Sequence, residues 1–226
     1  MPVYNEEEAI GGVLDEWFQE LKKTNIPFTL CVLNDGSKDN TLNILNEYAE
    51  KNTEMLIIDK PNSGHGQTCI YGYKLAIKNG ADWILQIDSD GQCDPKYLPT
   101  FLKEAENNSA VFGVRKTRDD GFKRVVISKF VRLFIYFATW TWVRDGNVPY
   151  RLIHADVMAK IIDRVPVDFY LANIYVSVLV QRNGGIKWTP IHFRNRNGGS
   201  PSVKTFSFMK HGIKLFKQLR DVSYVS

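Results

Sequence analysis

Trp83-Ile84-Leu85-Gln86-Ile87-Asp88-Ser89-Asp90-Gly91-Gln92 is an apolar run that ends abruptly in two carboxylates one residue apart. Such a run, closed by a glycine-containing polar turn, reads as a buried strand entering a tight loop. Two carboxylates so placed offer hard oxygen ligands to Mg²⁺ or Mn²⁺, and Gln92 adds a neutral oxygen. Mg²⁺ takes few protein carboxylates and completes its shell with phosphate oxygens, so the pattern implies a metal–diphosphate site. A solvated acidic turn has the same local spelling; the position after a buried strand favours the metal.

The flanking sequence alternates in the same way. Upstream, Met55–Ile58 is a short strand closed by Lys60-Pro61-Asn62-Ser63-Gly64, and Gln67 to Asn79 reads as a helix. Before these, Phe28 to Leu33 is a strand running into Asn34-Asp35-Gly36-Ser37. A helix follows that carries Leu42, Leu45 and Tyr48, with Asp39 or Asn40 placed to cap it. Glu7 to Lys23 has helical apolar spacing, and Pro2-Val3-Tyr4-Asn5-Glu6 reads as the end of a first strand with almost nothing before it. Downstream come a helix over Leu98 to Glu106 and a strand over Ala110 to Val114. The order predicts an α/β fold with a mostly parallel central sheet and helices on both faces. Ligands of such sheets sit beyond the carboxyl ends of the strands, where these polar motifs fall.

The chain has 226 residues, 44% hydrophobic and 24% charged, which excludes disordered, collagen-like and disulfide-scaffold classes. It reads as one domain, 1–226, in two unlike halves. Residues 1–110 carry 9 basic and 18 acidic side chains, while 111–226 carry 20 and 7 and hold every arginine. The second half is therefore expected to face something anionic. Cys31, Cys69 and Cys93 have neither zinc nor disulfide spacing, which fits a reducing, cytoplasmic setting. The sequence shows no secretory signal and no clean apolar run of about 20 residues.

Asp35 is suited to accept from a nucleobase N–H or ribose hydroxyl, and Gly36 permits close backbone approach; the same residues also spell a common Asx turn. Gly64-His65-Gly66-Gln67 opens a helix whose first amides can hold an anion or polar ring. It is not a dinucleotide fingerprint, because Cys69 stands at the third glycine position. His65 reads either as a ligand contact or as a turn residue. His154, His192 and His211 are scattered and read as packing or surface residues.

Four motifs together, Pro2-Val-Tyr-Asn-Glu-Glu7, Asn34-Asp-Gly-Ser-Lys-Asp-Asn-Thr41, Asn62-x-Gly-x-Gly66 and Asp88-Ser-Asp-Gly-Gln92, resemble family 2 glycosyltransferases in order and spacing. The resemblance continues through Gly113-Val-Arg115, Arg118, Lys123-Arg124, Asp145-Gly146, Tyr150-Arg151-Leu152 and Arg194-x-x-x-x-Gly199-Ser200, with Lys204 shortly after. That later set looks like the polyprenyl-phosphate branch, the dolichyl-phosphate mannosyltransferase-like enzymes. Asn34 departs from the aspartate common at its position.

The resemblance implies a GT-A fold and an inverting transfer from a UDP- or GDP-linked sugar. It implies nucleotide-sugar contacts at Pro2, Tyr4, Glu6, Asp35, Gly64, Gly66, Gln67 and Asp88. It implies a Mg²⁺ or Mn²⁺ site at Asp88, Asp90 and Gln92. The expected acceptor is a polyprenyl phosphate, met by Arg151, Arg194, Arg196, Ser200 and Lys204.

Physical chemistry fills in the basic half. Arg115 and Arg118 follow the fourth strand, where the planar guanidinium fork suits diphosphate oxygens and developing negative charge. Asp145 is placed to orient Arg151 or the acceptor, and is the candidate base if the acceptor is a hydroxyl. Val125 to Val143 reads as an amphipathic helix with interfacial tryptophans, its polar face formed by Arg124, Ser128, Arg132, Tyr136 and Thr139. Lys210, Lys214 and Lys217 mark a second basic amphipathic helix. Both suit peripheral contact with an anionic membrane, on its cytoplasmic face, and both are also what core or solvated helices look like.

The expected activity is metal-dependent glycosyl transfer to polyprenyl phosphate, with catalysis by positioning and charge stabilisation. A saccharide or protein hydroxyl acceptor and a catalytically silent nucleotide-sugar-binding subunit stand as alternatives. A nucleic-acid module is disfavoured by the acidic first half. A homo-oligomer is left open.

Overall fold

The computed structural model describes residues 1–115, 122–166, 172–194 and 219–220, with the side chains of 122–130 outside that description. Five segments alternate from the start as expected: β1 (Pro2–Val3), α1 (Ile10–Lys23), β2 (Leu30–Asn34), α2 (Thr41–Lys51) and β3 (Met55–Asp59). Then come α3 (His65–Lys78), β4 (Trp83–Gln86), α4 (Leu98–Ala105), β5 (Ala110–Arg115) and α5 (Phe122–Thr139). The remaining elements are β6 (Arg151–His154), α6 (Ala155–Ile161), α7 (Ala172–Arg182) and β7 (Lys187–Ile191).

β1, β2 and β3 form a parallel sheet in that order, with Val3 opposite Asn34 and Asn34 opposite Asp59. β2 is covered on both faces and is accordingly almost wholly apolar, whereas β3 lies at the edge and leaves Leu56 exposed. The second sheet runs β4-β6-β5-β7. Here the parallel expectation is incomplete. β6 lies between β4 and β5 and runs antiparallel to both, while β5 and β7 are parallel. The antiparallel strand was not legible because Arg151, a full cation, opens it.

The core joins the layers through aromatic rings. Tyr150, fully buried, has its ring 5.7 Å from that of Trp17 on α1 and 4.5 Å from that of Phe101 on α4. Since β4, β5 and β7 share one direction, the loops that follow them come together, which is what assembles the site.

α5 departs from its expected polar face at Thr139. Among the described side chains of α5, Ile135, Ala138 and Thr139 are buried, so Thr139 is not on an open polar stripe. Its hydroxyl donates to the Ile135 carbonyl (2.8 Å). Leu133 and Phe137 are exposed instead, and the chain then turns through Trp140 at φ 53°, 72% exposed, to Trp142, 52% exposed. The Tyr136 ring lies 5.7, 5.8 and 5.9 Å from the rings of Phe137, Trp140 and Trp142. Beneath them Arg182 of α7 donates to Thr141 Oγ1 (2.9 Å) and to the Thr139 carbonyl. Among the described residues no helix is long and apolar enough to cross a membrane.

Candidate active site

Asp35 leaves the end of β2 and is almost completely enclosed. Its Oδ1 accepts from Ser63 N (2.9 Å) and from Lys60 Nζ, and its Oδ2 accepts from Gly64 N (2.9 Å). The carboxylate thus sits just ahead of α3, where the helix dipole and free amides favour negative charge. Burial alone would raise its pKa, but hydrogen bonds from Lys60, Ser63 and Thr68 outweigh it and hold the group below the ordinary carboxylate value. Lys60 also donates to the Pro61 carbonyl (3.0 Å) and Ser63 Oγ (2.6 Å). Asn62 Nδ2 donates to the Asp35 carbonyl (2.8 Å), so the loop after β3 closes over the loop after β2. That closure needs Gly36: its φ is 68°, and a Cβ there would lie 2.9 Å from Asn62 N.

Asn34 does not simply stand in for an aspartate. Its Nδ2 donates to Asp59 Oδ1 (2.7 Å) while its Oδ1 accepts from Ser37 Oγ (2.5 Å), roles that require an amide's two ends. Asn5 adds a third loop, donating from its N to Ser37 Oγ (3.0 Å) and accepting from Lys38 N (2.8 Å). Asp39, rather than Asn40, caps α2 by accepting from Thr41 N (3.1 Å). Pro2 is buried within β1 opposite Leu33, Tyr4 is half exposed, and Glu6 is buried with its N–H on Thr41 Oγ1 (2.9 Å). Gly66 and Gln67 lie in the first turn of α3.

The Asp88–Gln92 turn stands beside that helix start. His65 Nε2 lies 2.9 Å from Asp88 Oδ1, and Cys69 Sγ lies 3.9 Å from His65 Nδ1. Cys69 and Asp88 push the imidazole well above its ordinary pKa. Burial opposes ionisation of Asp88, but neighbouring positive charge, chiefly His65 and then Arg151, outweighs it, and the carboxyl lies below its ordinary value. Asp90 Oδ1 accepts from Gln92 N (3.1 Å), bending the turn back on itself.

Asp88, Asp90 and Gln92 are all hard oxygen donors, a set that fits Mg²⁺ or Mn²⁺. Among the described residues no group of three or more His, Cys, Asp or Glu forms a complete metal cage. A cation here would therefore draw further oxygens from phosphate or water, as Mg²⁺ does beside diphosphates.

Arg115, at the end of β5, is held from two sides. Its guanidinium lies 4.7 Å from the centroid of the Phe193 ring, and its Nε lies 3.7 Å from Asp145 Oδ2. The Nε is buried without a hydrogen bond. Arg118 lies outside the described residues, as do Arg196, Ser200, Lys204 and the lysine-rich segment around Lys210.

Two arginines are placed otherwise than as acceptor contacts. Arg151 is completely buried: Nε donates to the Val148 carbonyl (2.6 Å), Nη2 to Gly146 (2.9 Å) and Nη1 to Asn173 (3.1 Å), with Phe112 beneath the guanidinium at 5.0 Å. A cation consumed by carbonyls in this way supports the Asp145 turn instead of meeting a phosphate. Arg194 has Nη2 2.7 Å from Asp94 Oδ1 and Nη1 paired with Glu16.

Sequence reasoning missed Lys60, Asp94, Phe193 and Glu16. Only Lys60, flanking a recognised turn, carried a local signal.

Residues 1–162 match the family model for glycosyl transferase family 2. An uncharacterized protein of Methanocaldococcus jannaschii is 32% identical over 185 residues, which are 76% of this chain and 78% of that one. The undecaprenyl-phosphate 4-deoxy-4-formamido-L-arabinose transferases of Proteus mirabilis and Photorhabdus laumondii are 30% and 31% identical, each over 80% of this chain. The chain spans 56% and 57% of their length, little more than half. Among solved structures, Mycobacterium tuberculosis glucosyl-3-phosphoglycerate synthase with Mn²⁺ and UDP-glucose superposes with a TM-score of 0.66 at 15% identity, over 97% of this chain and 77% of that one. Likeness at that identity speaks for the fold, which is the GT-A-like arrangement expected above. With the family model covering most of the chain and the strand-end motifs folded into one site, this chain belongs to glycosyl transferase family 2.

Proposed function

We propose that the protein is a metal-dependent inverting glycosyltransferase that moves a sugar from a UDP-linked donor to a polyprenyl phosphate at the cytoplasmic face of a membrane. The observation that carries this reading is the convergence of Asp35, the Asp88–Gln92 turn and the Arg115–Asp145 pair at the carboxyl ends of β2, β4 and β5. The undecaprenyl-phosphate acceptor named for the relatives and the UDP-glucose and Mn²⁺ named for the superposed structure support it.

The nucleoside is read at the Asp35 loop. There Lys60, now on the carboxylate, must yield or share when a base or ribose donates to it. Asp88, Asp90 and Gln92 hold the divalent cation, which when bound screens the diphosphate charge. Arg115 faces the same group. Its planar fork stabilises the negative charge that grows on the departing diphosphate, and Asp145 and Phe193 keep it oriented. A phosphate monoester is already an anionic nucleophile at neutral pH, so no general base is needed. Asp145 acts as the partner of Arg115. Arg118 is assigned to the diphosphate, and Arg196, Ser200 and Lys204 to the acceptor phosphate.

Membrane contact is assigned to the exposed Leu133, Phe137, Trp140 and Trp142. No acidic residue occurs from 121 to 144, while Lys123, Arg124, Lys129, Arg132 and Arg144 do. Aromatic rings with neighbouring cations suit the headgroup region of an anionic bilayer.

The test incubates purified protein with labelled UDP-sugars, Mn²⁺ and polyprenyl phosphate, then extracts the lipid. Label is expected in the organic phase. Label that enters only a water-soluble acceptor overturns the lipid reading.

A further inference from the structure

The chain leaving β7 crosses the candidate site and is tied to it residue by residue. His192 N donates to Tyr97 Oη (3.0 Å), and the Phe193 ring packs against Arg115. Arg194 N donates to the Gln92 carbonyl (3.1 Å), and Gln92 Nε2 donates back to the Arg194 carbonyl (3.3 Å). The Arg194 guanidinium is meanwhile anchored on Asp94 and on Glu16 of α1. Asp94 is itself nearly enclosed and accepts from Lys96 N (3.1 Å).

A glutamine amide has a donor end and an acceptor end, and a cation can use only the oxygen. The partner of one end decides which end is left. Here the Arg194 carbonyl takes the nitrogen, so the oxygen is the end left for a cation.

We propose that Arg194 is a positioning residue of the metal site: its guanidinium, pinned between Asp94 and Glu16, holds its own carbonyl where that carbonyl orients Gln92 with its oxygen available to the cation at Asp88 and Asp90. The inference rests on the metal reading under Proposed function and replaces the expectation that Arg194 binds the acceptor phosphate. Supporting groups of this kind alter metal affinity without touching the metal.

The experiment measures Mn²⁺ binding to the full chain by electron paramagnetic resonance of the free ion, with UDP present, and checks folding by circular dichroism. Arg194→Ala is expected to weaken Mn²⁺ binding about tenfold. Arg194→Lys recovers little, since an ammonium lacks the fork that spans both carboxylates. The double variant Glu16→Gln/Asp94→Asn, which frees the fork while keeping Arg194, is expected to weaken binding as well and serves if Arg194→Ala does not fold. The decisive arm adds Gln92→Glu to Arg194→Ala. A carboxylate presents oxygen at either end, so affinity should return, which general damage to the fold does not predict. Wild-type affinity in Arg194→Ala, or no recovery with Gln92→Glu in a folded protein, overturns the inference. Gln92→Ala separates the two layers: if it alone leaves Mn²⁺ binding unchanged, Gln92 is no ligand, and the metal reading at that residue falls together with this inference. If it weakens binding while Arg194→Ala does not, only the inference falls.

Discussion

The guanidinium of Arg151 holds the carbonyl of Gly146 at 2.9 Å, from five residues downstream and entirely out of solvent. Ser177 Oγ donates to the same carbonyl (3.0 Å) and to that of Asn173 (2.8 Å), so α7 and the start of β6 grip the turn together. Asp145 is the residue just before that carbonyl. Its reach toward Arg115 is thus set from beneath by a cation that itself touches no surface.

Removing the Arg151 fork takes its donor from the Val148 carbonyl and leaves the carbonyls of Gly146 and Asn173 to Ser177. Hydrogen bonds from a charged group are worth about 1.5–3 kcal/mol each, and the burial cost of the guanidinium, relieved in the variant, offsets part of their loss. Arg151→Met is expected to destabilise the fold by roughly 3–5 kcal/mol, measured by urea unfolding. A variant as stable as the parent would show that the guanidinium contributes nothing net.

Arg115→Ala should act on turnover. Losing a donor aimed at developing charge typically costs about 10²–10³-fold in kcat. UDP binding, followed by calorimetry, should change far less. Equal losses in binding and turnover would place Arg115 in ground-state recognition instead.

Gly36→Ala forces a side chain into a left-handed turn and against the main chain of Asn62. The expected cost is about 1–3 kcal/mol, together with weaker UDP binding, because the Lys60–Gly64 loop must move off Asp35. Thermal melting with and without UDP checks both parts.

Trp140 carries a backbone penalty, since its φ of 53° is unfavourable for a bulky residue. Trp140→Gly should stabilise the protein by about 1 kcal/mol in urea unfolding. The same change should reduce flotation with vesicles containing phosphatidylglycerol, and Trp140→Ser/Trp142→Ser should reduce it further. Undiminished flotation of the double variant would remove these rings from the membrane reading.

Acid sensitivity follows from the depressed carboxyls. Burial tends to raise the pKa values of Asp35, Asp39 and Asp94, yet their hydrogen-bond donors prevail and hold all three below the ordinary value. For groups shifted this way, stability is complete above the unfolded value near 3.8 and falls as pH drops through the lowered folded values. The melting temperature should therefore fall steeply below about pH 4, and Asp94→Asn should flatten part of that slope. An unchanged slope would mean that Asp94 is not ionically held by Lys96 and Arg194.

Much of the architecture was legible because period and punctuation are local properties. β2 and the first three helices follow from apolar spacing and from the turns that close them. Asp88 and Asp90 stand out in the sequence because two carboxylates directly after a buried strand are unusual. The antiparallel β6 was hidden by Arg151, which no pattern of apolar residues would place in a core strand. On α5 the departure is Thr139, expected on the polar face and buried instead, because its hydroxyl is satisfied by the Ile135 carbonyl one turn back.

The sequence by itself determined the alternation of strands and helices, the polar loops at the strand ends and the charge contrast between the halves. Only the tertiary structure decided which partners Arg115, Arg151 and Arg194 reach. Arg115 and Asp145 meet at 3.7 Å across 30 residues, and the partners of Arg194 come from Asp94 and from Glu16 on α1. A guanidinium takes its role from the acceptors within its reach, and those acceptors are delivered by elements remote in the chain. One arginine therefore became a core donor, one a tie to the Gln92 loop and one the partner of Asp145 and Phe193.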